Sequence, residues 1–509
     1  MKTKLLLFFA LIWATSSFSQ ADYITYNSTY GSVYNMIHTS DGGVAMLIAG
    51  LDQNPIVLKT SATGVIQWQQ KITFNGASVM FQLTETTDLG IAVLTSDNSG
   101  GIVLIKLNSS GVYQWTKRYN YSLSNQGWSI VGNSTNGVTI VGNGCAGHNF
   151  VIYTDATGTI TWSKQYVNAA FTSSTGSDVI MSSANEFIVT GFETNSSSQV
   201  GFIMSVTNTG SLNWFKEFDF GAGNTCQPKR VIKTSDGGYS IVGQLNVSNV
   251  GRTFLVHTTS AGVVSFTKTF AFSQSSACTD LIQKSDNSYI LCGSVTHSGN
   301  QNIQELIIHA DANGSLLWAR SDGNSLYSQS GYDGAIDVEY NSGNKYFMTG
   351  ASDGMVLWTM SDSIGFCHGF TETPTVASPV NTLTSPTVNP TSITFTTTTL
   401  TATTASPGLV PQTLCSHPTG INENNETDVT MNLFPNPAHG SVHLSIDQLM
   451  LQNGTLKISD VLGNVVYEEN LPAINGIFSE DITTSFSPGI YFVRINSGEK
   501  YFVKKLVVE

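Results

Sequence analysis

Lys59-Thr-Ser-Ala-Thr-Gly-Val-Ile-Gln-Trp68 returns 47 residues later as Lys106-Leu-Asn-Ser-Ser-Gly-Val-Tyr-Gln-Trp115. It comes back as Tyr153-Thr-Asp-Ala-Thr-Gly-Thr-Ile-Thr-Trp162, Ser205-Val-Thr-Asn-Thr-Gly-Ser-Leu-Asn-Trp214 and His309-Ala-Asp-Ala-Asn-Gly-Ser-Leu-Leu-Trp318, and one further copy ends in Phe266. Successive aromatics (Trp68, Trp115, Trp162, Trp214, Phe266, Trp318) stand 47, 47, 52, 52 and 52 residues apart. Three of the six copies pair a turn of the form Asp/Asn-x-x-Gly with an aromatic four residues beyond its glycine, and the other three open the same turn with Ser61, Thr207 or Thr259. A companion phrase precedes it: Thr39-Ser-Asp-Gly-Gly-Val-Ala-Met-Leu-Ile-Ala-Gly50 and Thr234-Ser-Asp-Gly-Gly-Tyr-Ser-Ile-Val-Gly243. Ser285-Asp-Asn-Ser-Tyr-Ile-Leu-Cys-Gly293 and Asn341-Ser-Gly-Asn-Lys-Tyr-Phe-Met-Thr-Gly350 are degenerate versions.

Asp-Gly and Asn-Gly supply the positive φ angles of tight hairpin turns. The strands between them alternate or run apolar over four to six residues, and no segment sustains a helical period. A four-stranded unit of about fifty residues cannot bury both faces alone, whereas units stacked around an axis can. The expectation is an all-β chain with a seven-bladed β-propeller over residues 20–366, six or eight blades being the alternative counts. Units start near residues 36, 82, 129, 178, 230, 281 and 337. The last is incomplete, but Tyr23-Ile-Thr-Tyr26 precedes the first unit as Lys71-Ile-Thr-Phe74 precedes the second. That N-terminal strand is expected to complete the last blade and leave no open edge. The six aromatics are expected to dock between neighbouring blades. The two phrases together resemble the β-propeller repeats of bacterial exported proteins, a resemblance that speaks to fold and hardly to activity.

Met1-Lys-Thr-Lys followed by the apolar run Leu5–Trp13 and small polar residues reads as a signal peptide over residues 1–19, with Ser17 and Ser19 before the cut and Gln20 after it. The run is too short for a membrane span, and no later stretch is long and apolar enough. Charged residues are only 11% of the chain, and the formal net charge is −13. Loss of Lys2 and Lys4 with the leader makes it more negative, so nucleic acid is excluded as a partner. Six cysteines in an exported chain point to disulfides. Cys278 and Cys292, symmetric about Ser285, are expected to face each other across a hairpin, and Cys367 and Cys415 to bracket the next segment.

Residues 367–430 are rich in Thr, Ser and Pro, and read either as an extended linker or as irregular strands strapped to the body. From residue 431 the pattern changes. Pro435-Asn-Pro437 and Gly440 open a small β domain, followed by the turn Asp460-Val-Leu-Gly463, the step Pro488-Gly489-Ile-Tyr491 and the ending Lys504-Lys505-Leu-Val-Val-Glu509. Strands are expected at Val442–Ile446, Leu456–Ser459, Val465–Glu468, Tyr491–Ile495 and Tyr501–Val508. In that order these elements resemble the type A C-terminal sorting domain of type IX secretion. The resemblance implies an immunoglobulin-like β-sandwich over 431–509 and, as partners, the outer-membrane translocon and its sorting machinery.

The sequence offers no catalytic residues, and no metal site or cofactor is expected. His439 and His443 have a four-residue spacing, but on a turn running into a strand rather than a helix. Asp155 and Asp311 sit where a calcium ligand would, yet a repeating Asp-x-x-Gly turn uses its carboxylate to hold backbone N–H groups. The repeat is also similar to the tryptophan-docking motif of quinoprotein dehydrogenases, without their adjacent cysteines, and to the Asp-box of sialidases, which is one residue shorter. The functional expectation is a secreted or cell-surface protein that binds a glycan or protein ligand. The alternative is a glycan-active hydrolase or lyase with carboxylates at the mouth of the central channel.

Overall fold

The computed structural model describes residues 22–26 and 33–509, apart from 51, 63–64, 122–124, 146, 297–302, 323–334, 342–344, 351–354, 362–368, 373, 380, 393, 395, 401, 406–410, 417–430, 452–453, 461–463 and 498–499. The expected signal peptide, Cys367 and Gly463 lie outside the described residues. Every regular element among the described residues is a β-strand, and none is a helix long and apolar enough to cross a membrane. The chain divides into two compact units, residues 1–416 and 417–509.

In the first unit the repeat builds consecutive antiparallel sheets. The first contains Val33–His38, Val44–Ala49, Pro55–Thr60 and Ile66–Phe74, hydrogen-bonded in chain order. The first strands of the following sheets are Ala77–Glu85, Gln126–Gly132, Ser173–Ser183, Thr225–Lys233, Ser276–Gln283 and Ala335–Asn341. Each first strand contacts the first strand of the next sheet, and Ala335–Asn341 contacts Val33–His38, so the series returns to its start. Asp22–Tyr26 pairs antiparallel with Met355–Ser361 and supplies the seventh sheet's fourth strand.

Local chemistry sets these elements. In Thr39-Ser-Asp-Gly-Gly43 the Thr39 N–H donates to the Gly43 carbonyl at 2.9 Å, Gly42 takes φ +83°, and Asp41 Oδ1 accepts the Gly43 N–H at 3.0 Å. Lys59, reaching from the third strand, places its ammonium 2.9 Å from Asp41. Asp155 and Asp311 work in the same way, each accepting two backbone N–H groups within their own turns at 2.7 to 2.9 Å. Second and third strands such as Val44–Ala49 and Ile102–Leu107 are buried throughout, which is why they read as apolar runs rather than alternations. Their odd and even faces feed different layers. Ala45, Leu47 and Val57 pack with Val93, Val103 and Ile105 of the second sheet, and the opposite faces of these strands pack elsewhere. Five layers of the core are each shared by two consecutive sheets.

Residues 369–416 run round the outside of this body. Gly369–Glu372 pairs with the fourth strand of the sixth sheet, Leu316–Asp322. Thr375–Ala377 then pairs with the fifth sheet, Thr382–Thr384 with the fourth, Val388–Ser392 with the third, Thr396–Thr399 with the second and Ala402–Ala405 with the first. Pro411–Ser416 ends the circuit on Asp22–Tyr26 of the seventh. The segment thus gives every sheet a fifth, outermost strand, visiting them in reverse order of the chain. Lys216 and Lys268 of the fourth strands donate to Ser385 and Ser378 of this strap at 2.6 and 2.9 Å.

The expected Cys278–Cys292 bridge is not formed, and both cysteines are buried. Pairing slips by one residue between Cys278 and Asp280, so Cys278 faces Gly293 and Cys292 faces Asp280. Symmetry about a turn places two residues opposite each other only where the strands between carry no bulge.

The second unit holds two sheets. One contains Met431–Phe434, Ser441–Leu451 and Ile474–Thr483, and the other contains Val465–Leu471, Gly454–Asp460, Gly489–Ser497 and Lys500–Val508. They share a core that includes Leu444, Ile446, Leu456, Ile458, Val493 and Leu506. The strand Ile474–Thr483, which pairs along Ser441–Leu451, has no counterpart among the strands expected from the sequence.

Candidate functional site

The slip at Thr279 belongs to a series. Pairing of the first and second strands shifts between Val33 and Asn35, Met80 and Gln82, Gly127 and Ser129, Gly176 and Asp178, Pro228 and Arg230, and Ala335 and Asp337 as well. A bulge inserts one residue and re-aims its side chain. Here the inserted residues include Tyr34, Phe81, Trp128, Ser177, Lys229 and Thr279, and all six line one cavity of about 520 Å³.

In the first five sheets the residue after the bulge ties its sheet to the next. Asn35 Oδ1 accepts the Leu83 N–H at 2.9 Å, Gln82 Oε1 the Ile130 N–H at 2.9 Å, Ser129 Oγ the Val179 N–H at 3.1 Å and Asp178 Oδ2 the Val231 N–H at 2.9 Å. Arg230 cannot accept, and its Nε instead lies 2.8 Å from Asp280, with Nη1 3.8 Å from Asp178. Burial raises the Asp178 pKa above the ordinary aspartate value, against the pull of Arg230.

Around the cavity the side chains sort by chemistry. Tyr34, Phe81 and Trp128 come from three consecutive sheets, and Tyr34 and Trp128 remain 41% and 39% exposed. Phe81 meets Trp128 edge-on at 5.2 Å between ring centroids. The Trp128 indole donates to Asn143 Oδ1 at 3.2 Å, and Asn143 donates to Thr175 Oγ1 at 3.1 Å, so the ring is oriented by an amide already held from the far side. Across from this arc stands Lys229, open to the water of the cavity but flanked by protein that lowers its pKa. None of these lining residues was legible as a site in the sequence. Each lies one position before a repeat residue, and the only available signal is that the position changes character from unit to unit while its neighbours do not.

The six aromatics of the repeat lie elsewhere. A Cβ added at Gly111, Gly158, Gly210, Gly262 or Gly314 would fall 2.5 to 2.9 Å from the ring of Trp68, Trp115, Trp162, Trp214 or Phe266 respectively. Each ring covers the turn glycine of the following sheet, and Trp68 and Trp162 also donate to the carbonyls of Ser109 and Asn208 there. Trp318 stacks edge-on with His309, beside Arg320. Gly158→Ala should cost about 2–4 kcal/mol, through strain at φ +74° and displacement of Trp115. Gly237→Ala, at φ +84° with open space around it, should show the strain alone. Urea unfolding of the two variants gives the docking contribution as the difference.

In the tail, Asn436 donates to the Lys505 carbonyl and accepts the Val507 N–H, both at 2.8 Å, and Lys504 donates to the Met431 carbonyl at 2.6 Å. The Pro435–Pro437 opening and the chain's last strand are thereby fastened together. The Tyr491 hydroxyl donates to the Ser487 carbonyl at 2.6 Å across the Pro488-Gly489 step, Asp460 accepts the Asn464 N–H, and Gly440 takes φ +80°. His439 meets Glu509 at 3.3 Å and His443 meets Asp481 at 2.7 Å, so the two imidazoles engage different partners.

Residues 432–509 match the family described as secretion system C-terminal sorting domain. A comparison with curated protein sequences found no match. Among solved structures, Raptor from Chaetomium thermophilum aligns over 67% of this chain and 30% of its own, at 10% identity and a TM-score of 0.40. Sqt1 from the same organism aligns over 67% and 99%, at 12% identity and 0.39. The polysaccharide lyase Uly1 aligns over 91% and 99%, at 9% identity and 0.37. Likenesses at that level carry no argument about this chain. The tail match does carry one: it marks the chain as cargo of type IX secretion, exported to the cell surface or released.

Proposed function

We propose that residues 20–366 form a seven-bladed β-propeller closed by Asp22–Tyr26 and belted by the strap, that 431–509 is an immunoglobulin-like sorting sandwich, and that the exported protein is a non-catalytic binder. Its ligand sits at the axial mouth framed by the bulged residues. Residues 1–19 serve as the signal peptide in this reading, and the type IX translocon and sorting machinery are the partners of the tail. The observation that carries the binding reading is the repeated bulge, which delivers one side chain from each of six sheets, three of them aromatic, into a single cavity. Water-exposed aromatics in a concave, amide-lined site favour association with a partially apolar ligand.

The glycan-cleaving alternative needs carboxylates free to move protons. Asp280 lines the mouth and Asp178 stands behind it, but both face Arg230, and such a trio favours structure over proton transfer. Trp128→Ala should weaken binding of the ligand at least tenfold, about 1.4 kcal/mol, with the melting temperature retained. The measurement is binding of the purified propeller to a glycan array, with calorimetry on the hits. Retained binding in Trp128→Ala, or bond cleavage during incubation, would remove the reading.

A further inference from the structure

The chain is acidic overall, and several cations of the repeat are held by carboxylates of the fold. Lys59 is held by Asp41, Lys106 by Asp88 and Arg118 by Asp97. Arg230 is spent on Asp280 and Asp178. Lys229 differs: its bulge turns it into the mouth, where it makes no hydrogen bond or ion pair among the described residues. A cation open to the cavity's water and without an ion pair of its own is an unspent charge, available to an arriving anion.

The opposite wall narrows the class of anion. Tyr34, Phe81 and Trp128 form an arc of ring surface that suits the C–H face of a pyranose, and Asn143, Thr175 and Gln227 offer short-reach donors and acceptors for hydroxyl groups. A peptide adding as a strand finds little to pair with here. The first strands are already hydrogen-bonded to their second strands, and the N–H groups of Leu83, Ile130, Val179 and Val231 are taken by the ring of side chains behind the bulges.

We propose that the mouth binds an anionic saccharide, a sugar bearing a carboxylate or a sulfate ester, with its ring on the Tyr34–Phe81–Trp128 arc and its acid group on Lys229. This deepens the binding reading and rests on it. Because the ligand selects the protonated amine, affinity is full below the lowered pKa of Lys229 and falls as the pH rises through it.

The test is calorimetric titration of the mature full chain with three probes: oligogalacturonate, a sulfated galactan oligosaccharide and a neutral galactan oligosaccharide. The expected result is tighter binding of an acidic probe than of the neutral one. Lys229→Gln should lose at least tenfold for that acidic probe, with weaker binding at higher salt, and Trp128→Phe should bind better than Trp128→Ala. Preference between the first two probes identifies the acid group. Equal binding of the neutral probe, lost in Trp128→Ala but unchanged in Lys229→Gln, would overturn the anionic inference and leave the mouth as the binding site. Absence of binding to all three probes, or binding indifferent to both residues, would overturn both.

Discussion

Chains that end at residue 410, 400 or 387 should lose stability in steps, and removal of the whole strap should leave a body that aggregates or is digested at room temperature. Ending at 410 removes Pro411–Ser416 from the seventh sheet, and ending at 400 also removes Ala402–Ala405 from the first. Ending at 387 further strips Thr396–Thr399 and Val388–Ser392 from the second and third. Each lost strand surrenders a few backbone hydrogen bonds worth about 0.5–1.5 kcal/mol net apiece. Across the full circuit the loss reaches about 10 kcal/mol, as large as the stability of a typical domain. It also uncovers a row of unpaired N–H and C=O groups on every sheet, each a template for joining another chain. The steepest step is expected at 410, because that strand covers Asp22–Tyr26, which, unlike the other fourth strands, is not joined to its neighbour Met355–Ser361 by a hairpin. Thermal melts and limited proteolysis of the series, made without export, measure the effect. The sorting domain is a separate compact unit, so its absence from these chains leaves the body's own contacts intact. A chain ending at 387 that melts with the full body would show that the strap decorates the edges without supporting them.

The strap also shows where sequence reading stops. The repeated turns were legible because each needs a particular chemistry: glycine where φ is positive, an Asp, Asn, Ser or Thr oxygen to hold backbone N–H groups, an aromatic to cover the next glycine. The buried second and third strands were legible because their neighbours on both faces are apolar. Strap strands have neither signature. Thr375–Ala377 and Ala402–Ala405 are three and four residues long and mostly exposed, held by backbone pairing to which side-chain patterning is blind. Their threonines and valines fit a pleated ribbon equally well whether it lies on a sheet or stands in water. The mouth was hidden for a related reason. A bulge depends on one extra residue between two registers, so Phe81 and Trp128 read as ordinary members of a strand until the partner strand is placed. The same insertion at Thr279 undid the expected cysteine pairing.

Raising the pH toward 9 should loosen the body at one identifiable point, and Glu193→Gln should abolish much of that loss. Glu193 and Glu217 are buried side by side in the fourth sheet, facing Asn168 from the third. Asn168 Nδ2 donates to Glu193 at 2.9 Å and to Glu217 at 2.5 Å, and Thr384 of the strap donates to the other Glu217 oxygen at 2.6 Å. Burial first, and then the neighbouring Glu217, push the Glu193 pKa up to about 8 from the model-compound value of 4.5. Between those values the native state holds a proton that the unfolded chain has released, so stability falls as pH rises across the window. A loss of roughly 2–4 kcal/mol is expected by pH 9 relative to pH 5, the upper end being the full linkage of a single buried carboxyl. Glutamine keeps the shape and removes the charge, so Glu193→Gln should be more stable than the parent at pH 9 and show a flatter profile. Because Thr384 joins this pair to the strap, cleavage near residue 384 in limited proteolysis should increase with pH in the parent and not in the variant. Parallel pH profiles for the two proteins would mean that both carboxylates ionise in the folded state without strain, and the pair would then be no proton-sharing joint between strap and body.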